Sequence, residues 1–398
     1  MGSRHTHHIN LKPVWLKAAV LGGLWASVEI IIGSFFHNLR LPFAGTILAA
    51  NATVLMIAFY QMWPEKGLIW RAGLIAALMK SISPSAIILG PMIGIMAEAL
   101  IIELFIRFFG NNLVSLSIAG ALSVSSALIH KVVSLLILYG FNIVKIYVNM
   151  FHYFAKQVRI ENADPWALLF LVIGVYLVLG IVSAFMGIRV GRTSVSKVLE
   201  KRGFVTEQNF SNNILTTNPN QNFSLVFFFA HILLIPLGLF VLHQFSLFYS
   251  TLFVLVYAAV CIFRYRNSLR RLKKPFFWFQ LFVLTFLAAM FWNGFNSEGS
   301  LFDIEGLLIG FEMNIRAVFV VIAFSSFGVE LRNPVIRDFL FKKGFDKIYS
   351  AMGLSFSALP AMIDAMPRPQ VFLRHPIESF SNMMIHAKEW LGVFEDSK

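Results

Sequence analysis

Residues 311–366 read FEMNIRAVFVVIAFSSFGVELRNPVIRDFLFKKGFDKIYSAMGLSFSALPAMIDAM. The stretch begins as the second half of an apolar span that holds an acid and a base one helical turn apart, Glu312 and Arg316. It leaves the apolar pattern at Glu330, and the amphipathic segments that follow are too short and too polar to cross a bilayer. A membrane helix that continues into amphipathic surface helices suits the passage of force between a soluble partner and a membrane partner.

The composition is that of a membrane protein. Hydrophobic residues make up 58% of the 398 residues and charged residues only 13%, with a mean hydropathy of +0.73. A soluble protein of this size does not need so much apolar surface, so we expect a polytopic membrane protein. The net charge of +13 indicates basic cytoplasmic loops beside anionic lipid headgroups rather than a nucleic-acid partner. The single cysteine, Cys261, excludes a disulfide framework within the chain and a thiol-rich metal site.

Continuous apolar runs mark about ten candidate spans, each near the roughly 17–25 residues that a crossing requires. Because a chain in lipid must satisfy its backbone hydrogen bonds internally, these runs predict helices and an all-α fold. The runs cover approximately 14–36, 42–63, 67–83, 86–109, 113–140, 165–187, 223–243, 245–263, 275–292 and 304–328. Amphipathic cytoplasmic helices at the C-terminal end complete the predicted fold.

Basic residues orient the predicted bundle. The connectors after the sixth and eighth spans and the C-terminal tail are rich in Lys and Arg, whereas the connector 293–303 holds two acidic residues and no basic one. The positive-inside rule therefore places both chain termini in the cytoplasm. Segment 141–164 is assigned to the outside, although it carries Lys145, Lys156 and Arg159.

The polar segment 191–222 is predicted to be a cytoplasmic linker, because it ends in a run of Asn, Thr, Gln and Pro without an apolar pattern. It separates a six-helix substrate-binding domain, 1–190, from a four-helix membrane domain, 223–330, which is followed by cytoplasmic helices and a tail, 331–398. The two halves show no convincing internal repeat, which argues against a transporter built from inverted repeats.

The first half carries LPFAG at 41–45, where the second span begins, and GPMIG at 90–94 in the fourth span. In the first span Ala18, Gly22 and Ala26 stand four residues apart, which places three small residues on one helix face. With its six spans, this half resembles the substrate-capturing S component of an energy-coupling factor (ECF) transporter. The resemblance implies that the small-residue face packs against a T component. Ordinary packing inside the same bundle is the alternative.

The second half resembles the T component of the same transporters, and residues 311–366 carry the resemblance. They hold Ser325-Ser326, Glu330-Leu331-Arg332-Asn333-Pro334, Lys343-Gly344-Phe345 and Ala358-Leu359-Pro360. In T components the segments after such a span are coupling helices, which contact ATPase subunits and cradle the S component. The resemblance implies coupling roles for Glu312, Arg316, Glu330, Arg332, Pro334, Pro360 and Arg368. The Ala-Arg-Gly motif of T components is absent, and Pro367-Arg368-Pro369 is the nearest basic element.

Ionisable groups inside a span cost roughly 2.5–3.5 kcal/mol each, so each of them needs a reason. An outward-open capture site would be built from the outer ends of the spans and their loops. The candidate substrate-binding residues are then Glu29, His37, Arg40, Asn51, Ser83, Glu98, Asp164 and Trp166. Three have an alternative: Glu98 could make a buried structural hydrogen bond, Asn51 could bond within the bundle, and Trp166 could anchor at the interface.

Two i,i+4 pairs in the apolar spans are expected to satisfy their own charges. Glu103 and Arg107 would pair near the cytoplasmic end of the fourth span. Glu312 and Arg316 would pair on one face of the last span and hold it against the other helices.

The histidines His5, His7 and His8 form a cluster that could bind zinc, nickel or cobalt. The predicted topology puts this tail inside the cell without clear groups to orient the ligands, so we assign no metal site and keep the three as candidates. The chain has no GxxxxGK[ST] loop, so it would hold no cofactor of its own, and ATP would act through partner subunits. It also has no HExxH or GxSxG motif, which favours a transporter subunit over an enzyme.

We therefore expect a fused S–T membrane subunit of an ECF-type importer in a bacterial-type inner membrane. It would capture a vitamin-like small molecule or a metal ion and couple uptake to ABC-type ATPase partners, surrounded by membrane lipids and without nucleic acid. Two alternatives belong to other classes. The chain could be a non-transporting scaffold or sensor that recruits a cytoplasmic partner, or an ion-coupled carrier in which Glu29 or Glu98 titrates.

Overall fold

The computed structural model describes residues 11–38, 43–82, 89–160, 164–198, 224–265, 269, 272–293, 303–330, 346–367 and 369–396. These residues form helices and connecting turns, and no strand occurs among them. Seven of the helices are long and apolar enough to cross a membrane. The structure thus agrees with the prediction of an all-α, multi-pass membrane protein.

The helices of the described residues are α1 (Pro13–Asn38), α2 (Ala44–Met62), α3 (Leu68–Ile82), α4 (Leu89–Phe109), α5 (Leu113–Tyr139), α6 (Asn142–Gln157), α7 (Pro165–Val198), α8 (Leu225–Gln244), α9 (Leu247–Tyr265), α10 (Pro275–Phe291), α11 (Ile304–Glu330), α12 (Asp346–Asp364), α13 (Pro369–Arg374) and α14 (Pro376–Asp396). Nine of the ten predicted spans coincide with one of them to within a few residues. The sixth was predicted to end at 187, but α7 continues to Val198, so the first part of the predicted linker 191–222 is helical. Three of the helices at predicted spans are not among the seven that could cross a membrane. Helices α3 and α10 are short, at 15 and 17 residues, and α4 carries three charged side chains.

The amphipathic helix α6 lies in a segment that was predicted to be a connector. Its Ile146 is buried in one apolar cluster with Ala288 of α10 and Met313 of α11. On the same helix, the Asn149 amide donates a hydrogen bond of 2.8 Å to the carbonyl oxygen of Phe291 at the end of α10. Helix α6 therefore fastens the first half of the chain to the second.

The largest core surrounds α1, which is enclosed by helices from both ends of the chain. Trp25 of α1 belongs to the same cluster as Phe356 and Met362 of α12 and Phe380 and Phe394 of α14. The four C-terminal side chains are at most 3% exposed. The described C-terminal helices are therefore not a separate domain, because their apolar faces are buried against the first helix.

A second, smaller core joins α8, α9 and α11 around Phe319. Outside both cores, large apolar side chains cover the surfaces of the long helices. Phe170 of α7, Phe263 of α9 and Phe282 of α10 are at least 67% exposed. Exposed apolar surface of this extent is expected where helices face lipid.

Candidate functional site

Three charged side chains meet inside the first half: Glu29 of α1, Lys80 of α3 and Glu98 of α4, hereafter the charged cluster. The Lys80 ammonium lies 3.4 Å from Oε2 of Glu29 and 3.4 Å from the Glu29 carbonyl oxygen. Glu98 is close enough to Glu29 for their charges to interact. Both glutamates are only 7% exposed, so two carboxylates and one ammonium share a buried site.

The charged cluster is held by the close crossing of α3 and α4 beside α1. A Cβ atom at Gly73 of α3 would lie 2.3 Å from the Cβ of Ala99 in α4 and 3.5 Å from the ring of Trp25 in α1. Glu98 immediately precedes Ala99, and Glu29 follows Trp25 by one helical turn. A glycine at this crossing therefore lets the helices come close enough for their charged side chains to meet.

Among the described residues, two polar groups of this site have no hydrogen-bond partner. Within the described part of the chain, the Glu98 carboxylate has neither a hydrogen bond nor an ion pair. The Trp25 indole N–H is buried and directed at Glu29, in a geometry that falls short of a hydrogen bond. The site predicted from the sequence contained Glu29 and Glu98 but not Lys80. The sequence feature that could have indicated Lys80 is a charged residue inside an apolar run.

The other candidate substrate-binding residues that the structure describes are Asp164, Trp166 and Asn51. Asp164 accepts a hydrogen bond of 2.9 Å from the backbone N–H of Trp166, which caps the first turn of α7. Trp166 is exposed at the end of that helix. The Asn51 amide nitrogen is buried without a hydrogen-bond partner, so the predicted bond within the bundle is not formed by this donor. Arg40, Ser83 and the side chain of His37 lie outside the described residues, as do His5, His7 and His8.

The small-residue face of α1 contacts two different helices. A Cβ atom at Gly22 would lie 2.8 Å from the carbonyl oxygen of Ala72 in α3, so Gly22 packs inside the first half. The neighbouring Gly23 faces α12, where a Cβ atom would lie 2.8 Å from the sulfur of Met362. Ala18 and Ala26 are buried in the same core. Gly22 thus fits the alternative of ordinary packing inside the first half, and the glycine that faces the second half is Gly23, one position further along the helix.

A hydrogen bond also joins α12 to α1. The Ser355 hydroxyl of α12 lies 2.7 Å from the carbonyl oxygen of Ala19 and 2.9 Å from that of Ala351 in its own helix. Pro360 lies inside α12 between Ser355 and Met362. The helix that follows the last span therefore contacts the backbone of the first.

The predicted pair in α11 has a different arrangement. Glu312 and Arg316 interact electrostatically, but Arg316 Nε donates its hydrogen bond to the carbonyl oxygen of Ile137 in α5, at 3.1 Å. The other predicted pair, Glu103 with Arg107, makes no ion pair in the described structure. Glu103 accepts hydrogen bonds from the backbone N–H groups of Gly67 (2.5 Å) and Ile69 (3.1 Å) and so caps α3 rather than pairing with Arg107.

Glu330 ends a buried chain of hydrogen bonds that the sequence did not indicate. Its Oε1 accepts from the Tyr265 hydroxyl at 2.6 Å, and its Oε2 accepts from the backbone N–H of Ser224 at 2.9 Å. His231 Nε2 lies 3.3 Å from the Tyr265 oxygen, and His231 Nδ1 lies 2.7 Å from the Tyr257 oxygen. Because Tyr265 gives its only proton to Glu330, His231 must donate from Nε2 and accept at Nδ1.

The remaining coupling candidates, Arg332, Pro334 and Arg368, lie outside the described residues. Among the residues that are described, no group of three or more His, Cys, Asp or Glu side chains could hold a metal ion. Neither a family model, nor a curated protein, nor a solved structure matches this chain.

Proposed function

We propose that the chain is the membrane subunit of an ATP-driven importer of the ECF type, with an S component-like half and a T component-like half in one chain. Ten spans would place both termini in the cytoplasm of a bacterial-type inner membrane. The first half would capture a vitamin-like small molecule or a metal ion at its outer face. Partner ABC-type ATPases would bind ATP and act on the helices that follow α11.

The contact between α12 and α1 is the observation that supports this proposal. Such an importer needs a helix that follows the T-like spans to hold the first helix of the S-like half. Helix α12 occupies this position, with Ser355 on the Ala19 carbonyl and Met362 against Gly23. A movement of α12 would therefore be passed directly to the helix that carries Glu29.

The first test is purification of the full chain from its native host in mild detergent, with mass spectrometry of every protein that accompanies it. Recovery of an ABC-type ATPase is the expected result. The variant Gly23→Trp, which would displace Met362, should lower ATP hydrolysis by the recovered complex, while Gly174→Trp, where a Cβ atom meets no other atom within 4 Å, should not. Recovery of the chain alone, or with a partner that binds no nucleotide, would favour the scaffold function instead.

The charged cluster favours an ion-coupled carrier as the second candidate. Glu98, a buried carboxylate that has no partner in the described part of the chain, is the kind of group that takes up and releases an ion during transport. Uptake by a carrier of this class would continue in vesicles without any ATPase. Uptake that depends strictly on ATP hydrolysis would exclude it.

A further inference from the structure

The formal charges of the charged cluster do not cancel. With ordinary ionisation, the two carboxylates and one ammonium leave a formal charge of −1 in a site where each glutamate is 7% exposed. Lys80 lies against Glu29, and nothing in the described part of the chain is paired with Glu98. A buried charge is strongly disfavoured unless the group takes up a proton or another charge compensates it, so an ionised Glu98 calls for one further positive group.

The donor set does not suit a divalent metal ion. Such ions take several oxygen or nitrogen ligands, and no group of three acidic, His or Cys side chains occurs among the described residues. The ammonium of Lys80, 3.4 Å from Glu29, would also repel a second strongly charged ion at this carboxylate. A protonated amine fits better, because it carries one charge and donates hydrogen bonds that one or two carboxylates can accept.

Space lies beside Glu98 on its own helix. Gly94 precedes Glu98 by one turn and therefore shares its face of α4, and a Cβ atom at Gly94 would meet no atom of the described residues within 4 Å. Gly33 of α1, one turn beyond Glu29, is packed instead, since a Cβ atom there would lie 3.5 Å from the Leu48 side chain and 3.8 Å from the Lys80 nitrogen. The exposed Ser34 follows directly, so the charged cluster lies next to the surface at this end of α1.

We propose that Glu98, together with Glu29, binds a protonated amino group of the transported substrate. Trp25 is fully buried one helical turn before Glu29, and the space beside Gly94 would take the rest of the molecule. The inference rests on the proposed import function, for which it names the substrate class: organic molecules with an amino group that is charged at neutral pH. Glu98 accepts hydrogen bonds from the ammonium, and Lys80 holds Glu29 in place.

The test is a thermal-unfolding series on the purified full chain in detergent, in a buffer with a fixed concentration of potassium chloride. The probes are ethylammonium and phenethylammonium at millimolar concentrations, with ethanol and phenethyl alcohol as neutral probes of matched shape and sodium chloride as the inorganic cation. We expect an ammonium probe to raise the melting temperature by about 1–2 °C, with no effect of its alcohol.

Two variants and one control assign the effect to Glu98. Glu98→Gln keeps the shape of the side chain without its charge and should abolish the shift, whereas Glu98→Asp keeps the charge and should retain part of it. Glu389→Gln, at an exposed position of α14, should leave the shift unchanged. The proposal is overturned if no ammonium probe stabilises the protein, if Glu98→Gln responds like the natural chain, or if sodium alone stabilises it. No ATPase takes part in this assay, so its failure is distinct from a failure to recover an ATPase partner.

Discussion

Arg316 of α11 donates a hydrogen bond from Nε to the carbonyl oxygen of Ile137, in the last turn of α5, at 3.1 Å. The carbonyl groups of a last turn have no partner in their own helix, and a cation is favoured at this end of the helix dipole. Gly140, which ends α5 with φ of 76°, leaves room for the guanidinium, since a Cβ atom there would lie 3.2 Å from it. One arginine of the second half thus completes a helix of the first.

Substitution Arg316→Met should destabilise the folded chain. It removes a charged donor from a partly buried carbonyl group, at an expected cost of about 1.5–3 kcal/mol. Thermal unfolding in detergent, followed by tryptophan fluorescence, would measure the change. Arg107→Met, at an exposed position of α4, is the matched control and should have little effect. Equal losses for the two variants would show that the bond between α11 and α5 contributes nothing measurable.

Gly22→Ala and Gly23→Ala should differ, although the two glycines are neighbours. The new Cβ atom of Gly22→Ala would meet the backbone oxygen of Ala72 at 2.8 Å, which cannot move unless α1 and α3 separate. That of Gly23→Ala would meet the sulfur of Met362 at 2.8 Å, which is the flexible end of a side chain. We expect a loss of about 1–3 kcal/mol for the first and a clearly smaller one for the second.

The measurement for the glycine pair is again the melting temperature, with Gly174→Ala as the control. A Cβ atom at Gly174 meets nothing within 4 Å, so this change should be close to neutral. If Gly23→Ala were the more damaging variant, the assignment of Gly22 to the α3 contact would be wrong.

Two serines of α12 offer a test of its attachment to α1. Ser355 lies 2.7 Å from the carbonyl oxygen of Ala19, whereas Ser357 bonds only within its own helix, to Leu354 at 2.9 Å. Ser355→Ala should therefore cost about 0.5–1.5 kcal/mol and speed hydrogen exchange of the α12 amides. Ser357→Ala should leave exchange in α12 nearly unchanged. Equal exchange in the two variants would mean that the bond to α1 does not hold α12.

The sequence was sufficient to predict the positions of the apolar helices, because bilayer thickness and backbone hydrogen bonding both act on local runs. It was insufficient for α6, where Lys145 and Lys156 concealed an apolar face whose partners lie in α10 and α11. The sequence also could not show which face of α1 contacts the second half. Alanines and glycines occur in adjacent pairs, at 18–19 and 22–23, so composition alone did not distinguish the face toward α3 from the face toward α12.

Partners of the charged residues were the least predictable part. The i,i+4 spacing of Glu103 and Arg107 indicated a local pair. Instead, the backbone N–H groups at the start of α3, which have no partner in their own helix, donate hydrogen bonds to the Glu103 carboxylate. Gly67 and Ile69 precede Glu103 by 36 and 34 positions, so the tertiary fold, and not helix periodicity, brings these groups together. The charged cluster is intermediate, since the two glutamates were predicted together on topology and Lys80 joined them only in the structure.

The buried chain that ends at Glu330 supports the last prediction. Tyr257 donates to His231, His231 to Tyr265 and Tyr265 to Glu330, so every bond points toward the carboxylate and disperses its charge. Tyr265→Phe breaks this series at its centre and leaves the His231 N–H without an acceptor.

Tyr265→Phe should cost about 1–3 kcal/mol, the penalty of a buried polar group that loses its partner. Glu330→Gln should cost more, because it also removes the negative charge that lies 3.6 Å from Nε of Arg264. Tyr249→Phe is the control, since Tyr249 is 61% exposed at the start of α9. The measurement is the melting temperature of each of the three variants. If Tyr265→Phe behaves like Tyr249→Phe, the hydrogen bonds of His231 and Tyr265 do not stabilise Glu330, and its bond from the Ser224 N–H and the apolar packing of α11 are sufficient.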